Sequence, residues 1–233
     1  MRTGSTRLAD VWIGIATALA ILAVTIPLFL NSIWVAFEQG RSNASTWTGF
    51  SDADLRRTTD SILSDLVIGA PDFDVEIGGA PVLDARERSH MRDVRTVFGG
   101  FLVLAVVATI SAVVLAARRR AEARRGTWAA IRGGAVGLIV TLLALAVVAL
   151  VAFDALFETF HRVLFPSGSY DFDPRTERLV QIFPFDFWQD SAIAVGVVAI
   201  VIALAIVWIA HRRLGRVAPV STPTQTALER SRS

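Results

Sequence analysis

The chain runs to 233 residues, 53% of them hydrophobic and none of them cysteine or lysine, and its mean hydropathy of +0.53 exceeds what a soluble domain of this size carries. Without cysteine, disulfides, a thiol nucleophile and a thiolate metal site are excluded. The isoelectric point near 10.2 comes from arginines gathered beside apolar runs, so it signals membrane topology and not a nucleic-acid partner.

Four stretches match the roughly 20 apolar residues that a helix needs to cross a bilayer: Val11 to Phe37, Val97 to Ala117, Trp128 to Phe153 and Ala192 to Ala210. Arg132 is the one ionisable residue inside them, a turn from the end of its span, where it can snorkel. Backbone in lipid must satisfy its own hydrogen bonds, so these runs predict an all-α integral membrane fold with four transmembrane helices. The first run is longer than a signal-peptide core and lacks a small-x-small cleavage site, so it is expected to be retained.

Arginine near span ends sets orientation. Arg2 and Arg7 precede the first span, RRRAEARRG (Arg118 to Gly126) links the second to the third, and Arg212, Arg213 and Arg216 follow the fourth. Both termini are therefore expected in the cytoplasm. The loops 38–96 and 154–190 are then outside, and they hold acidic residues such as Asp52, Asp54, Asp171 and Asp173. Residues 1–217 are expected to form the membrane domain and 218–233 a disordered cytoplasmic tail, rich in Ser, Thr, Pro and Arg with no apolar period. Gly133 and Gly137, spaced as GxxxG, suggest a place where two helices approach closely.

The first outer loop is too long to be a bare connector. Ser51 opens SDAD as a capping signal, and Leu55, Thr59, Ile62 and Leu66 then share one helical face with Leu63 and Val67 beside them. This amphipathic helix is read as a lid on the bundle, with an interfacial helix gating lipid entry as the second reading. Pro71 to Leu83 alternates apolar and acidic residues around Gly78-Gly79, which suggests a short hairpin. In the second outer loop, the aromatics around Pro184 from Phe183 to Trp188 suit the headgroup region.

Two of the three histidines then fall at the same membrane face. In RERSHMRDV (Arg86 to Val94), His90 lies at the mouth of the second span, with Glu87 and Asp93 three residues away on one helical side. In FDALFETFHRVLF (Phe153 to Phe165), His161 shares a stripe with Asp154 and Glu158. Carboxylates beside imidazoles fix the tautomer and raise basicity, while the low-dielectric boundary pulls the other way, and imidazoles suit general acid/base work near neutral pH. Either histidine alone is equally explained as an interfacial residue satisfied by a neighbouring carboxylate, whereas two such sites at one depth favour a shared site. His211, beside Arg212 and Arg213, reads as a topogenic residue or a charge at a helix C-terminus. A metal site built from the histidines and these carboxylates, or a protein that only binds lipid, remains an alternative from another class; no HExxH spacing is present.

The order SHMRDV, FHRVLF, SYDFD and LVQIFPFDFW, placed around the second, third and fourth spans, resembles the four-helix integral membrane family of lipoprotein intramolecular transacylases. The resemblance covers most of the chain up to the tail. It implies that His90 and His161 are the essential histidines of an acyltransferase in the bacterial cytoplasmic membrane, working at its extracytoplasmic face. The implied reaction moves the sn-2 acyl chain of a diacylglyceryl-cysteine lipoprotein to the α-amino group of the same cysteine. No cofactor, metal or nucleic acid is implied; the partners are the modified lipoprotein N-terminus and membrane lipid. On this reading one histidine is the base and the other the acid, and Arg92, Arg162 or Tyr170 stabilises the oxyanion, while Glu87, Asp93 and Glu158 bind or orient.

Overall fold

A computed structural model describes residues 4–70, 72–120, 123–165 and 169–216; the expected tail, 218–233, lies outside the described residues. The helices in chain order are α1 (Gly4–Thr25), α2 (Ser32–Arg41), α3 (Ala44–Thr48), α4 (Asp52–Val67), α5 (Ala85–Ala117), α6 (Arg124–Leu164), α7 (Arg178–Ile182) and α8 (Phe185–Arg216). Two short strands, β1 (Glu76–Ile77) and β2 (Ala80–Pro81), pair antiparallel between α4 and α5. The helices α1, α5, α6 and α8 are each long and apolar enough to span a bilayer, so the chain is a multi-pass membrane protein with four transmembrane helices.

The first apolar run, expected as one span to Phe37, is divided. Pro27 sits in a 3-10 turn, Ile26–Phe29, that follows α1, and its missing N–H and fixed φ stop the α-helical ladder. Asn31 then caps a new helix, its side chain accepting from the backbone N–H groups of Ile33 and Trp34, each at 3.0 Å.

Within the bilayer-spanning region, α1 lies against α5, α6 and α8, and α6 runs along α8. The buried seams combine Ile13, Ile21 and Leu138 with small side chains, Ala16, Ala108, Ala112, Ala135, Ala199 and Ala203, and the small ones let helix backbones approach where water supplies no driving force. Large apolar residues such as Val107, Val140, Leu150 and Val201 face outward, as lipid requires. The closest approach is not at the expected GxxxG pair. A Cβ added to Gly133 or Gly137 would meet open space, whereas one on Gly134 would fall on the backbone of Gly14. The spacing signal was one residue out of phase, because which glycine faces the neighbour depends on how α6 is rotated against α1. At the arginine-rich end, Arg119 pairs with Asp10 at 2.7 Å and donates to Thr127 at 3.2 Å.

At the opposite end the segments between spans fold into a cap with its own core, including Val35, Leu55, Ile62, Phe73, Leu83 and Ile182. Ser51 caps α4 as its sequence predicts, accepting from the Asp54 N–H at 3.1 Å. The helix buries Leu55, Thr58, Thr59 and Ile62 and is tied to its neighbours: Gln39 of α2 donates both to Thr59 at 2.9 Å and to the Ile182 carbonyl at 3.1 Å. Arg95 of α5 caps the far end of α4, donating to the carbonyls of Asp65 and Gly69, the natural place for a cation against a helix dipole. Gly78 and Gly79, at φ 61° and 80°, make the left-handed turn that a two-residue hairpin needs. The aromatic segment before the last span is divided between two environments, contrary to a uniform headgroup belt. Phe183 and Phe187 are buried in the cap core, and Phe185 and Trp188 face out, since Pro184 separates α7 from α8 and the helical period then turns alternate rings inward.

Candidate active site

The two histidines reach the cap from different spans. The helix α5 begins with a complete capping box: the Asp84 side chain accepts from the Glu87 N–H at 2.8 Å, and the Glu87 carboxylate accepts from the Asp84 N–H at 2.7 Å. At 33 residues, α5 is about 50 Å long at 1.5 Å per residue, well beyond the roughly 30 Å hydrocarbon core. Its polar first turns, carrying His90, therefore stand clear of the apolar stretch that begins at Val97. The helix α6 spans 41 residues, and its helical conformation breaks at Ala152 (φ −152°, ψ 46°). The kink falls where the apolar span ends, and the segment beyond it carries Glu158 and His161.

The imidazoles of His90 and His161 face each other with ring centroids 6.1 Å apart and planes 27° from parallel. His90 is 5% exposed, and its Nδ1 is buried without a hydrogen-bond partner. An orphaned buried ring nitrogen costs free energy unless a ligand completes it. Phe165 and Phe172 wall the His90 ring edge-on, at 4.8 and 5.4 Å between centroids. His161 packs on Phe157 at 4.1 Å and on Tyr170 at 5.2 Å. Its Nδ1 lies 2.8 Å from the carbonyl oxygen of Phe157, one turn earlier. A carbonyl can only accept, so Nδ1 carries the proton and Nε2 is left as the acceptor.

The flanking residues divide into those that meet the pair and those that do not. Tyr170 donates its hydroxyl to Glu158 at 3.1 Å, and Ser169 donates to Asp93 at 3.3 Å. Adjacent residues of one loop thus touch a carboxylate on each of the two histidine helices. Partial burial and then the Glu158 charge push the Tyr170 hydroxyl above its ordinary pKa, keeping it a donor. Arg162 acts electrostatically on Tyr170 and is exposed, as is Arg92. Glu87 is 2% exposed, and besides the capping bond it accepts from the Leu179 N–H at 2.6 Å, so it fastens backbone to backbone. His211 lies exposed at the far end of α8. Among the described residues no three His, Asp or Glu side chains gather as a metal would need.

Sequence reasoning missed the aromatic walls. Phe157 and Phe165 stand four residues either side of His161 on the helical repeat, a signal that was present; Phe172 comes from a loop whose return to His90 no spacing predicts.

Fold and geometry together describe a four-helix membrane-integral protein in which two imidazoles face each other at one end of the bundle. The family model described as lipoprotein intramolecular transacylase Lit matches residues 11–188, and the chain belongs to that family. Solved structures agree in fold. One of the membrane integral lipoprotein intramolecular transacylase Lit from Bacillus cereus superposes with a TM-score of 0.72 at 16% identity, covering 91% of this chain and 96% of that one. Two structures of the Bacillus cereus protein with a histidine replaced, one by arginine and one by alanine, each give a TM-score of 0.69, at 18% and 17% identity. They cover 91% and 89% of this chain, and 92% and 93% of theirs. No curated protein matches by sequence.

Proposed function

We propose that this chain transfers the sn-2 acyl group of a diacylglyceryl-cysteine lipoprotein to the α-amino group of that same cysteine, with His90 and His161 as the acid/base pair. The observation that carries this reading is the facing pair itself: a buried imidazole with an orphaned Nδ1 opposite one whose tautomer is set by the Phe157 carbonyl. The amine nitrogen attacks the ester carbonyl, a C–N bond forms and the C–O bond breaks, and the proton lost by the amine ends on the glycerol oxygen. Amine and ester belong to one molecule, so holding them together supplies an effective molarity of roughly 10⁵ M or more. An enzyme nucleophile is not needed, and the exchange is redox-neutral, so no cofactor enters.

The amine has an ordinary pKa of about 7.7 to 8.0, and a neutral imidazole with a free ring nitrogen is suited to taking its proton. The free Nε2 of His161 suits that step. On this reading Arg92, Arg162 or Tyr170 meets the developing negative charge, Tyr170 by turning its hydroxyl from Glu158 to the oxyanion. Asp93 and Glu158 supply anionic surroundings for the substrate amine.

Product analysis tests the reaction. An internal shift adds no mass, so purified chain in detergent, given a diacylglyceryl lipopeptide and no phospholipid, is expected to yield an isobaric product. Its amino terminus is blocked, and its fragment ions carry one acyl chain on the cysteine nitrogen and one on glycerol. A product heavier by one acyl chain, or a strict need for phospholipid, would show that the donor is external.

From the arginine pattern we infer that this site faces the extracytoplasmic side of the bacterial membrane. The cysteine-free chain makes that measurable. A single cysteine at Ser61 or Ser169 is expected to react with an impermeant thiol reagent in intact cells, and one at Ala121 only after the membrane is opened. Labelling at Ala121 from outside would reverse the orientation.

A further inference from the structure

A working imidazole is ordinarily oriented by a hydrogen bond from its second ring nitrogen to a carboxylate or carbonyl. His161 has such a bond, and His90 does not: its Nδ1 has no partner. Its ring is therefore held by packing alone, between Phe165 and Phe172. Phe165 ends the α6 helix and is 4% exposed, so that wall is part of the packed frame. Phe172 belongs to the loop before α7, and an aromatic ring on a loop needs something to fix it.

Arg86 supplies that. It precedes His90 by four residues on α5, so both side chains project on one side of the helix. Its guanidinium lies over the Phe172 ring with 4.9 Å from Cζ to the centroid, donates to the Asp171 carbonyl at 2.9 Å and pairs with the Glu177 carboxylate. The backbone beside the ring, the ring face and the far end of the same loop are gripped by one planar cation, a combination that a fork of five donors permits. The order from outside inward is Arg86, Phe172, His90.

We propose that Arg86 is a positioning residue for the acid/base pair, setting the rotamer of His90 by clamping the Phe172 ring against it. This rests on the transacylase reading for its kinetic consequences and on geometry alone for the clamp. Arg86 itself touches neither imidazole. Its contribution to rate passes through Phe172.

The test uses the full chain in detergent and has two arms. In the kinetic arm, Arg86→Ala and Phe172→Leu are each expected to lower kcat about tenfold with KM held within about twofold, and the double variant to be no slower than the slower single. Arg86→Lys, which keeps the cation over the ring, is expected to recover most of the loss. Glu177→Gln, which removes the ion pair and leaves the ring contact, is expected to cost less than threefold. In the second arm, diethyl pyrocarbonate modification of each histidine is followed by peptide mass spectrometry, which needs no turnover. Arg86→Ala is expected to raise the His90 rate at least about fivefold and to leave His211 unchanged.

An unchanged His90 rate, a loss confined to KM, or additive singles would overturn the clamp. Equal losses in Arg86→Ala and Glu177→Gln without rescue by lysine would do the same, reducing Arg86 to a loop anchor. Absence of transacylation in the unmodified chain would instead overturn the reaction, and the labelling arm would still decide the clamp.

Discussion

Alanine in place of His161 is expected to lower lipopeptide turnover at least about a hundredfold, and His90→Ala to do the same, while both proteins still insert and accumulate. General acid/base groups contribute about 10²- to 10⁴-fold, so the lower bound corresponds to roughly 2.7 kcal/mol of transition-state stabilisation. The two groups serve one intermediate, each handling the proton the other leaves behind, so their losses overlap. The double variant is expected within a few-fold of the worse single. Because His90 is buried against Phe165 and Phe172, His90→Gln is the companion that keeps more of the side-chain volume and separates lost chemistry from a collapsed wall. His211→Ala, far from the cap, is expected to be silent. Turnover near that of the unmodified chain in either His90→Ala or His161→Ala would remove the paired mechanism.

The second large effect is structural and falls on one methyl group. Gly134→Ala is expected to cost about 2–3 kcal/mol or more, seen as reduced accumulation in the membrane and an earlier thermal unfolding transition in detergent. The added Cβ would overlap the Gly14 backbone, and backbone cannot rotate aside as a side-chain tip can. Overpacking of a tight core ordinarily costs about 1–3 kcal/mol, and here relief requires α1 to move. That helix also packs on α5 and α8, so displacing it disturbs three contacts at once. Gly133→Ala and Gly137→Ala project into open space and are expected to be neutral. Equal behaviour of the three substitutions would show that the helices do not meet at Gly134.

The site was partly readable before any fold was known. His90 and His161 could be matched because arginine segregation assigns each loop a side of the membrane, and that assignment places both residues at one surface. The three-residue spacings around His90 were less informative. Glu87 lies on the expected helix, yet its carboxylate serves the Asp84 and Leu179 amides. Asp93 meets Ser169, and Glu158 meets Tyr170, pairings that require a loop to return between two helices. Spacing reports which residues share a face of one helix. It does not report what that face meets.

The number of spans and the cap that starts α4 follow from the chain alone, as does the left-handed turn at Gly78-Gly79. Hydropathy over twenty residues, a side chain three positions from an amide, and two adjacent glycines all act locally, so the cause and its effect lie in the same stretch of sequence. The tertiary structure decided the choice of Gly134 over Gly133 and Gly137 and the division of the aromatics around Pro184 between core and surface. It also brought Phe172 and Arg86 to His90. The last depends on the return of a loop between helices, and the first two on the rotation of one helix about its axis relative to another, where one residue turns a side chain by about 100°. That phase is set by the simultaneous fit of all four helices and the cap, which no single segment encodes.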